Sequence, residues 1–438
     1  MLEKNFCSSP WFHLGINYDG NFAKCRWGKE NTNDKTYNVN NSSIVNFYHS
    51  DEMNDFRSDI LRGKKLDVCS TCHYEESFNK LNGRKRQLNK SGIDINEFNL
   101  STLSSPHYKH FLHSYNNQGS ADYKPTDLQI WLGNTCNSAC IMCNPLASSK
   151  LETEYKTLEK INPGLFSSTK VPNWTKDKEK VLDIAKQISA IDNLSYIHFL
   201  GGETLYDHAF YTICDYLIDT NKAKDIIIGT TTNGTIYSDK IKKYIKTFKG
   251  FHLGISIESV TDLNDYIRWP GKINEILPNI NSFLRDRQTN PELYISLRIT
   301  PTVFSVLHID QLFDFMIKNS VIAESCNILF EPKCLRMEIM PSNIRQTVKQ
   351  KLERLIDSNA LDRSNDIVNI RVPELINEVT ANTILDYYKF MCEYTEPNDI
   401  EQSRHDLVSF VKAFETTRKN SILDYLPEYE EFLRTYGY

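Results

Sequence analysis

Between residues 127 and 330, six short β-rich runs alternate with longer amphipathic stretches. The strand candidates are DLQIWL (127–132), SYIHFL (195–200), DIIIGT (225–230), FHLGISI (251–257), LYISLRI (293–299) and SCNILF (325–330). Helix-type segments such as YDHAFYTICDYLI and IDQLFDFMIKN lie between them. Strand–helix alternation of this kind implies a parallel sheet with right-handed crossovers. Six such units fit an α/β fold, a partial (β/α)6 TIM-like barrel. The chain from about 342 onward reads as helical, and residues 1 to about 90 follow neither rhythm. The expected organisation is a small, separate cysteine-rich domain over 1–90, a barrel over 125–340 and a helical segment over 341–438.

Composition limits where such a chain works. It has 438 residues, 24% charged and 40% hydrophobic, as soluble globular proteins do. No apolar run approaches the roughly 20 residues that span a bilayer, and the first residues, MLEKNFCSSPWFHLG, lack the pattern of a secretory signal. A net charge of −5 offers no basic footprint for nucleic acid. Eleven cysteines without a secretory signal argue for the reducing cytoplasm, where clustered thiols bind metal more often than they form disulfides.

Three of those thiols, Cys136, Cys140 and Cys143, share the segment LGNTCNSACIMCNPLASSK that follows the first barrel strand. Their i, i+4, i+7 spacing would suit one face of a helix. Gly133 and Asn134 break the run before it, however, and Asn144-Pro145 disfavours helix after it. The segment reads instead as a βα loop, and in barrels those loops carry the chemistry. A zinc site would need a fourth ligand, and the loop supplies none. A [4Fe–4S] cluster held by three thiolates keeps one iron open to a small molecule.

Cys-x3-Cys-x2-Cys after the first strand of a partial barrel resembles the radical S-adenosylmethionine (radical SAM) enzymes. The resemblance implies that the open iron chelates the amino and carboxylate groups of SAM. One electron from the cluster then breaks the C–S bond, and a 5′-deoxyadenosyl radical takes a hydrogen from the substrate. It further implies a one-electron reductant of the flavodoxin or ferredoxin kind. Other strand ends carry the same likeness. GGETL, with Gly201, Gly202 and Glu203, is similar to the family's Gly-Gly-Glu motif, whose backbone holds the SAM amino group; Thr204 stands where proline is usual. Thr232 and Asn233 in TTNG match positions that touch the nucleoside, and Ser256 in ISIES matches the serine near the ribose. Arg268 in DYIRWPG falls where relatives hold the SAM carboxylate, with Arg298 a competitor for that anion.

At the front, Asp19-Gly20 between β-type residues signals a hairpin. Cys7 precedes it, Cys25 closes it, and Cys69 and Cys72 form Cys-x2-Cys. Four thiols of this kind suit zinc or [4Fe–4S]. PWFHLGINYDGNFAKC followed by CSTCHYEE is similar to the auxiliary-cluster module of SPASM and twitch radical SAM enzymes, which implies a second [4Fe–4S] cluster here. In many relatives that module follows the barrel; here it precedes it.

Cys214, Cys326, Cys334 and Cys392 remain over. Cys214 reads as core, while Cys334, just past the sixth strand, is a candidate hydrogen donor or extra ligand. Phe166 and Trp174 are candidates to cover a substrate. The module implies a peptide or protein substrate; a sugar, aminoglycoside or nucleotide is the alternative. A non-enzymatic metal-binding interaction scaffold would require the strand-end residues to be coincidental.

Overall fold

The computed structural model describes residues 5–25, 36–76, 83–90, 93, 108–326, 329, 331–358, 373–393 and 396–438. Its centre is one eight-stranded sheet in which β2 (Phe22–Ala23) and β1 (His13–Ile16) stand at one edge, followed by the barrel strands β3 to β8 in chain order. The barrel strands are β3 (Asp127–Trp131), β4 (Tyr196–Leu200), β5 (Ile227–Thr232), β6 (Gly250–Ser256), β7 (Leu293–Ile299) and β8 (Ile322–Cys326). All neighbours among them run parallel. The six-unit α/β barrel expected from the alternation is what forms.

The period-two pattern of these strands sorts their side chains. Leu128, Ile130, Ile197, Phe199, Leu253, Ile255, Ile295 and Leu297 are buried on one face. The crossover helices supply the matching apolar stripes. Lys178–Ser189 buries Val181, Ile184, Ala185 and Ile188, and Asp177 caps it by accepting from the Glu179 and Lys180 amides. The other face carries Gln129, Trp131, Tyr196, His252, Tyr294 and Arg298, all half-buried. It is the concave, polar side of the sheet.

β8 lies ahead of its expected place, Ile322–Cys326 rather than 325–330. The preceding helix stops at Ser320, which adopts a left-handed conformation (φ 50°), and the Val321 amide closes back on the Met316 carbonyl. The chain therefore re-enters the sheet at once. Residues 327, 328 and 330 of the expected strand lie outside the described residues.

The front segment departs further from expectation. The Asp19-Gly20 hairpin forms, with β1 (His13–Ile16) antiparallel to β2 (Phe22–Ala23). But β1 also pairs in parallel with β3, from His13 opposite Asp127 to Ile16 opposite Ile130. At this junction His13 Nδ1 lies 3.1 Å from Asp127 Oδ1, both side chains buried. The front module is thus continuous with the barrel sheet rather than separate from it.

A buried cation organises that module. Arg57 has no exposed surface. Its Nε donates to the Pro10 carbonyl (2.9 Å) and its Nη2 to the Tyr48 carbonyl (2.7 Å), with the guanidinium over the Tyr48 ring. The Tyr48 hydroxyl in turn donates to the Trp11 carbonyl (2.6 Å). Replacing Arg57 by Met orphans two buried carbonyls at about 1–3 kcal/mol each. R57M is expected to lower stability by about 3 kcal/mol and to expose the front module to limited proteolysis before the barrel. Equal protection of both regions would count against this role.

Candidate functional site

The loop after β3 places Cys136, Cys140 and Cys143 together at the C-terminal end of the sheet. Neighbours brace it from three sides. Asn134, 1% exposed, donates to the Pro145 carbonyl (3.0 Å) and to Glu152 Oε2 (2.9 Å). Ser148 Oγ donates to the Ser138 carbonyl (2.6 Å). The Ala139 and Ile141 amides donate to the Trp269 and Ile267 carbonyls (2.7 and 2.9 Å). The loop is not helical, as the flanking Gly, Asn and Pro residues predict.

Burial raises the pKa of all three thiols, and Cys140 further raises those of Cys136 and Cys143. Cys143 is pushed up to about 12, by burial first and by Cys140 second. Cys136 moves the same way for the same reasons. For Cys140 burial also dominates, but Arg268 pulls against it. A bound metal reverses this logic, because coordination deprotonates thiols outright. The three thiols share one braced loop with no fourth thiol in it, the donor chemistry of a three-thiolate cluster, although among the described residues no group of three or more His, Cys, Asp or Glu is arranged to hold a metal ion.

Gly201 and Gly202 meet this loop from the end of β4. A Cβ on Gly202 would lie 2.2 Å from the Thr135 carbonyl oxygen, and Gly201 has φ +144°. The Gly202 and Glu203 amides donate to the Gly133 and Thr135 carbonyls (3.1 and 2.8 Å). So the first task of the two glycines is to admit the cysteine loop's own backbone. Glu203, 1% exposed, does not face an open site. Its Oε1 accepts from the Leu205 amide (3.0 Å) and Thr232 Oγ1 (2.6 Å), and its Oε2 from the Asn233 amide (2.5 Å). Asn233 Nδ2 continues the network to Asn137 Oδ1 (2.7 Å) and Ser138 Oγ (2.9 Å) inside the loop. Thr232 and Asn233 are therefore brought to the thiols, as loop supports. Ser256 ends β6, half-buried, opposite Arg298 in the register.

Arg268 is also at the thiols, and it is engaged. Its Nε and Nη2 both meet the Glu258 carboxylate, Nη2 at 2.8 Å, and its Nη1 lies 3.6 Å from Cys140 Sγ. Glu258 is fully buried and also accepts from the Thr300 amide (3.3 Å). Burial opposes the Arg268 charge, and Glu258 more than offsets that, so its pKa rises above the ordinary value. Arg298 lies in the concave face, its Nε 2.7 Å from where a Gly254 Cβ would stand.

The front thiols form a second set. Burial raises the Cys7 thiol most, and Cys25, Cys72 and Cys69 all act on it. Cys69 is pushed up to about 11 by burial and Cys72. Cys7 precedes β1 and Cys25 follows the antiparallel β2, so both lie level with the start of β3. The chain thus enters β1 from the Cys7 side at the start of β3, whereas the loop thiols follow the end of β3. Arg84 supports the front set: it pairs with Glu76 at 2.6 and 2.7 Å and donates from Nη1 to the Phe6 carbonyl (3.0 Å).

Other expected participants lie elsewhere. Phe166 is core, packed on Tyr155, Phe410 and Phe414. Trp174 is buried and donates from Nε1 to the Trp131 carbonyl (3.0 Å). Cys334 is 2% exposed in the turn Lys333–Leu335 and packs against the helix Ile400–Arg418. Cys214 is core and Cys392 exposed; the Cys326 side chain is outside the described residues. Sequence reasoning missed Glu258 as the partner of Arg268, and Arg418, which reaches the loop across 279 positions and left no local signal.

The Gly202 geometry predicts that G202V displaces the Thr135 carbonyl and with it the cysteine loop. Iron retention and SAM binding should fall together, read by iron assay and equilibrium dialysis. Normal iron with weakened SAM binding would show instead that Gly202 serves only the ligand.

A family model described as the Radical SAM superfamily matches residues 131–290, and one described as an iron–sulfur cluster-binding domain, SPASM, matches residues 7–73. No curated protein matches the sequence. Among solved structures, native anSMEcpe with bound AdoMet is similar at 13% identity over 56% of this chain and 64% of that one, TM-score 0.37. Streptococcus suis SuiB bound to S-adenosylmethionine is similar at 13% identity over 71% and 64%, TM-score 0.34. SuiB bound to its precursor peptide SuiA is similar at 14% over 70% and 64%, TM-score 0.33. The chain spans just under two thirds of the length of these proteins. Domains of the two matched kinds imply [4Fe–4S] clusters and S-adenosylmethionine as cofactors. Residues 131–290 thus match a radical SAM domain, and residues 7–73, ahead of it, a SPASM iron–sulfur cluster-binding domain.

Proposed function

We propose that this chain is an enzyme that cleaves S-adenosylmethionine reductively and uses the resulting radical to modify a peptide or protein. Cys136, Cys140 and Cys143 hold the cluster that binds SAM. Cys7, Cys25, Cys69 and Cys72 hold the auxiliary cluster. When bound, the first cluster supplies the electron that releases a 5′-deoxyadenosyl radical, with an external flavodoxin- or ferredoxin-like protein as its source. The observation that carries this reading is the set of three thiols on a loop braced by the ends of β4 and β5 and by residues 267–269.

The chain's own residues divide the remaining work. The Gly201-Gly202 backbone and Ser256 receive SAM, and Glu203, Thr232 and Asn233 keep the loop in register for it. Arg268 keeps one donor, Nη1, outside its Glu258 pair. The half-buried concave face takes the substrate. Gly229 and Gly254 make room there: a Cβ would strike the Tyr196 hydroxyl at 2.2 Å and Arg298 Nε at 2.7 Å. Hydrogen-bonding and aromatic groups of this kind suit a polar substrate such as a peptide segment, and the SPASM domain favours a peptide over a sugar or nucleotide. The working units are the front module over 1–90, the barrel over 125–340 and the helical segment over 341–438. Clustered thiols suit the cytoplasm, and no described helix is long and apolar enough to cross a membrane.

One three-thiolate and one four-thiolate [4Fe–4S] site imply about eight iron atoms per chain after anaerobic reconstitution. A triple Cys136/Cys140/Cys143→Ala variant should lose about half of them and all 5′-deoxyadenosine formation. Unchanged iron in that variant removes the loop as a cluster site. A folded Cys69→Ala/Cys72→Ala variant should still form 5′-deoxyadenosine but little modified substrate. Folding is checked first by circular dichroism, since metal can supply a small module's stability. Native product yield in that variant makes the front cluster structural. A peptide pool should raise 5′-deoxyadenosine formation above the substrate-free rate; a rise with sugars or nucleotides alone overturns the peptide assignment.

A further inference from the structure

The cysteine loop has one brace that comes from the far end of the chain. Arg418 is the last residue of the helix Ile400–Arg418, and its side chain is 1% exposed. Its Nη2 donates to the Ala139 carbonyl at 2.7 Å, next to Cys140. Nε and Nη2 pair with Glu154 at 2.9 and 2.8 Å, and Thr417 Oγ1 donates to the same carboxylate (2.7 Å). The guanidinium lies over the Trp269 ring at 5.0 Å and the Phe414 ring at 4.2 Å. Trp269 also accepts, through its carbonyl, from the Ala139 amide. Both polar atoms of the Ala139 backbone are thereby held, one by Arg418 and one by the segment after the helix Leu263–Ile267 that carries Arg268. Arg418 Nη1 is buried with no hydrogen-bond partner among the described residues.

A guanidinium fully removed from water is costly to place. A hydrogen bond to one carbonyl could be had from a neutral donor. The charge itself is what Arg418 adds. Three thiolates and a cluster carry net negative charge, and accepting an electron makes it larger. Protein charges and hydrogen bonds near the sulfurs set such potentials, and a fixed cation counts for more where water is excluded. Arg418 reaches the Ala139 carbonyl and Arg268 the Cys140 sulfur, so two guanidinium groups converge on this stretch of the loop.

We propose that Arg418 is a positioning residue of the radical SAM site, which holds the Ala139 carbonyl and lays a permanent positive charge beside Cys140, so that the C-terminal helix completes the enclosure of the cluster and raises its reduction potential. This rests on the proposed ligation by Cys136, Cys140 and Cys143. The helix Ile400–Arg418 is then a working part of the site as well as a packing element. Glu154 orients Arg418 and tempers its charge.

The test is an EPR-monitored potentiometric titration of the reconstituted full chain, following the signal that SAM perturbs. R418M should shift that potential to more negative values and slow 5′-deoxyadenosine formation about tenfold at a fixed reductant, the equivalent of one charged hydrogen bond. R418K, which keeps the charge but not the fork, should recover most of the potential. E154Q should shift the potential the opposite way, because it frees the guanidinium's charge. An unchanged potential in iron-loaded, folded R418M overturns the proposal, and so do shifts of the same sign in R418M and E154Q, which would mark general loosening of the loop. If R418M does not fold, the sign of the E154Q shift decides alone. A wild-type chain with no SAM-sensitive signal overturns the cysteine assignment, and this inference with it.

Discussion

A buried carboxylate holds the catalytic end of this barrel together. Glu203 leaves β4 with 1% exposure and accepts three hydrogen bonds, two of them from the end of β5. Two strand ends are thus locked at one height, and Asn233 passes that alignment on to Asn137 and Ser138 in the cysteine loop. The latch is not free. Burial holds the Glu203 pKa above the usual carboxylate value despite those three donors. Its folded form therefore binds a proton more tightly than the unfolded chain does. The stability from this group is greatest at low pH and declines as pH rises through the folded pKa. A neutral amide would escape that cost but would turn an N–H group against an N–H or O–H donor. Only a carboxylate accepts at both oxygens.

The same economy governs the charges around Cys140. Arg418 is buried and Arg268 nearly so, and each is matched by a carboxylate, Glu258 or Glu154. Buried ion pairs are poor stabilisers compared with apolar packing. Their merit is fixed geometry, since two-point contact sets the plane of each guanidinium. One arginine reaches a thiol and the other the neighbouring carbonyl, from elements far apart in sequence. The front thiols repeat the pattern with Arg84 and Glu76, where Arg84 reaches the carbonyl before Cys7.

What could be read from the sequence follows how local each cause is. Four of the six barrel strands fall within one residue of where their apolar alternation puts them and β5 runs two residues later than 225–230, because one buried face dictates that pattern within a few residues. β8 slipped because its boundary depends on a left-handed Ser320 rather than on the most apolar run. The hairpin was legible from Asp19-Gly20; its pairing with β3, 114 positions away from His13 to Asp127, was not, since HLGI says nothing about its neighbour. Motif residues were found as types but not as roles. Glu203, Thr232 and Asn233 do stand at the thiols, yet their polar atoms are spent on one another and on the loop. Arg418 sits in a helix whose local pattern demands only that Phe410 and Phe414 face inward. Nothing local marks the next buried residue as a cation meant for a loop at position 139.

The pairing of β1 with β3 also explains how a cluster module can stand ahead of the barrel. An open barrel has two edges, the first strand and the last. In this chain the module that precedes the barrel meets the β3 edge. β1 takes that edge in parallel, so the residues before it are carried to the N-terminal end of β3. The antiparallel return through β2 brings Cys25 back to the same end. The parallel direction is therefore decisive. An antiparallel β1 would put Cys7 beside the Cys136 loop. Run in parallel, the chain enters β1 from the Cys7 side at the start of β3, whereas the loop thiols follow the end of β3. The buried His13–Asp127 contact, at the first rung of the pairing, holds this direction where the two strands begin.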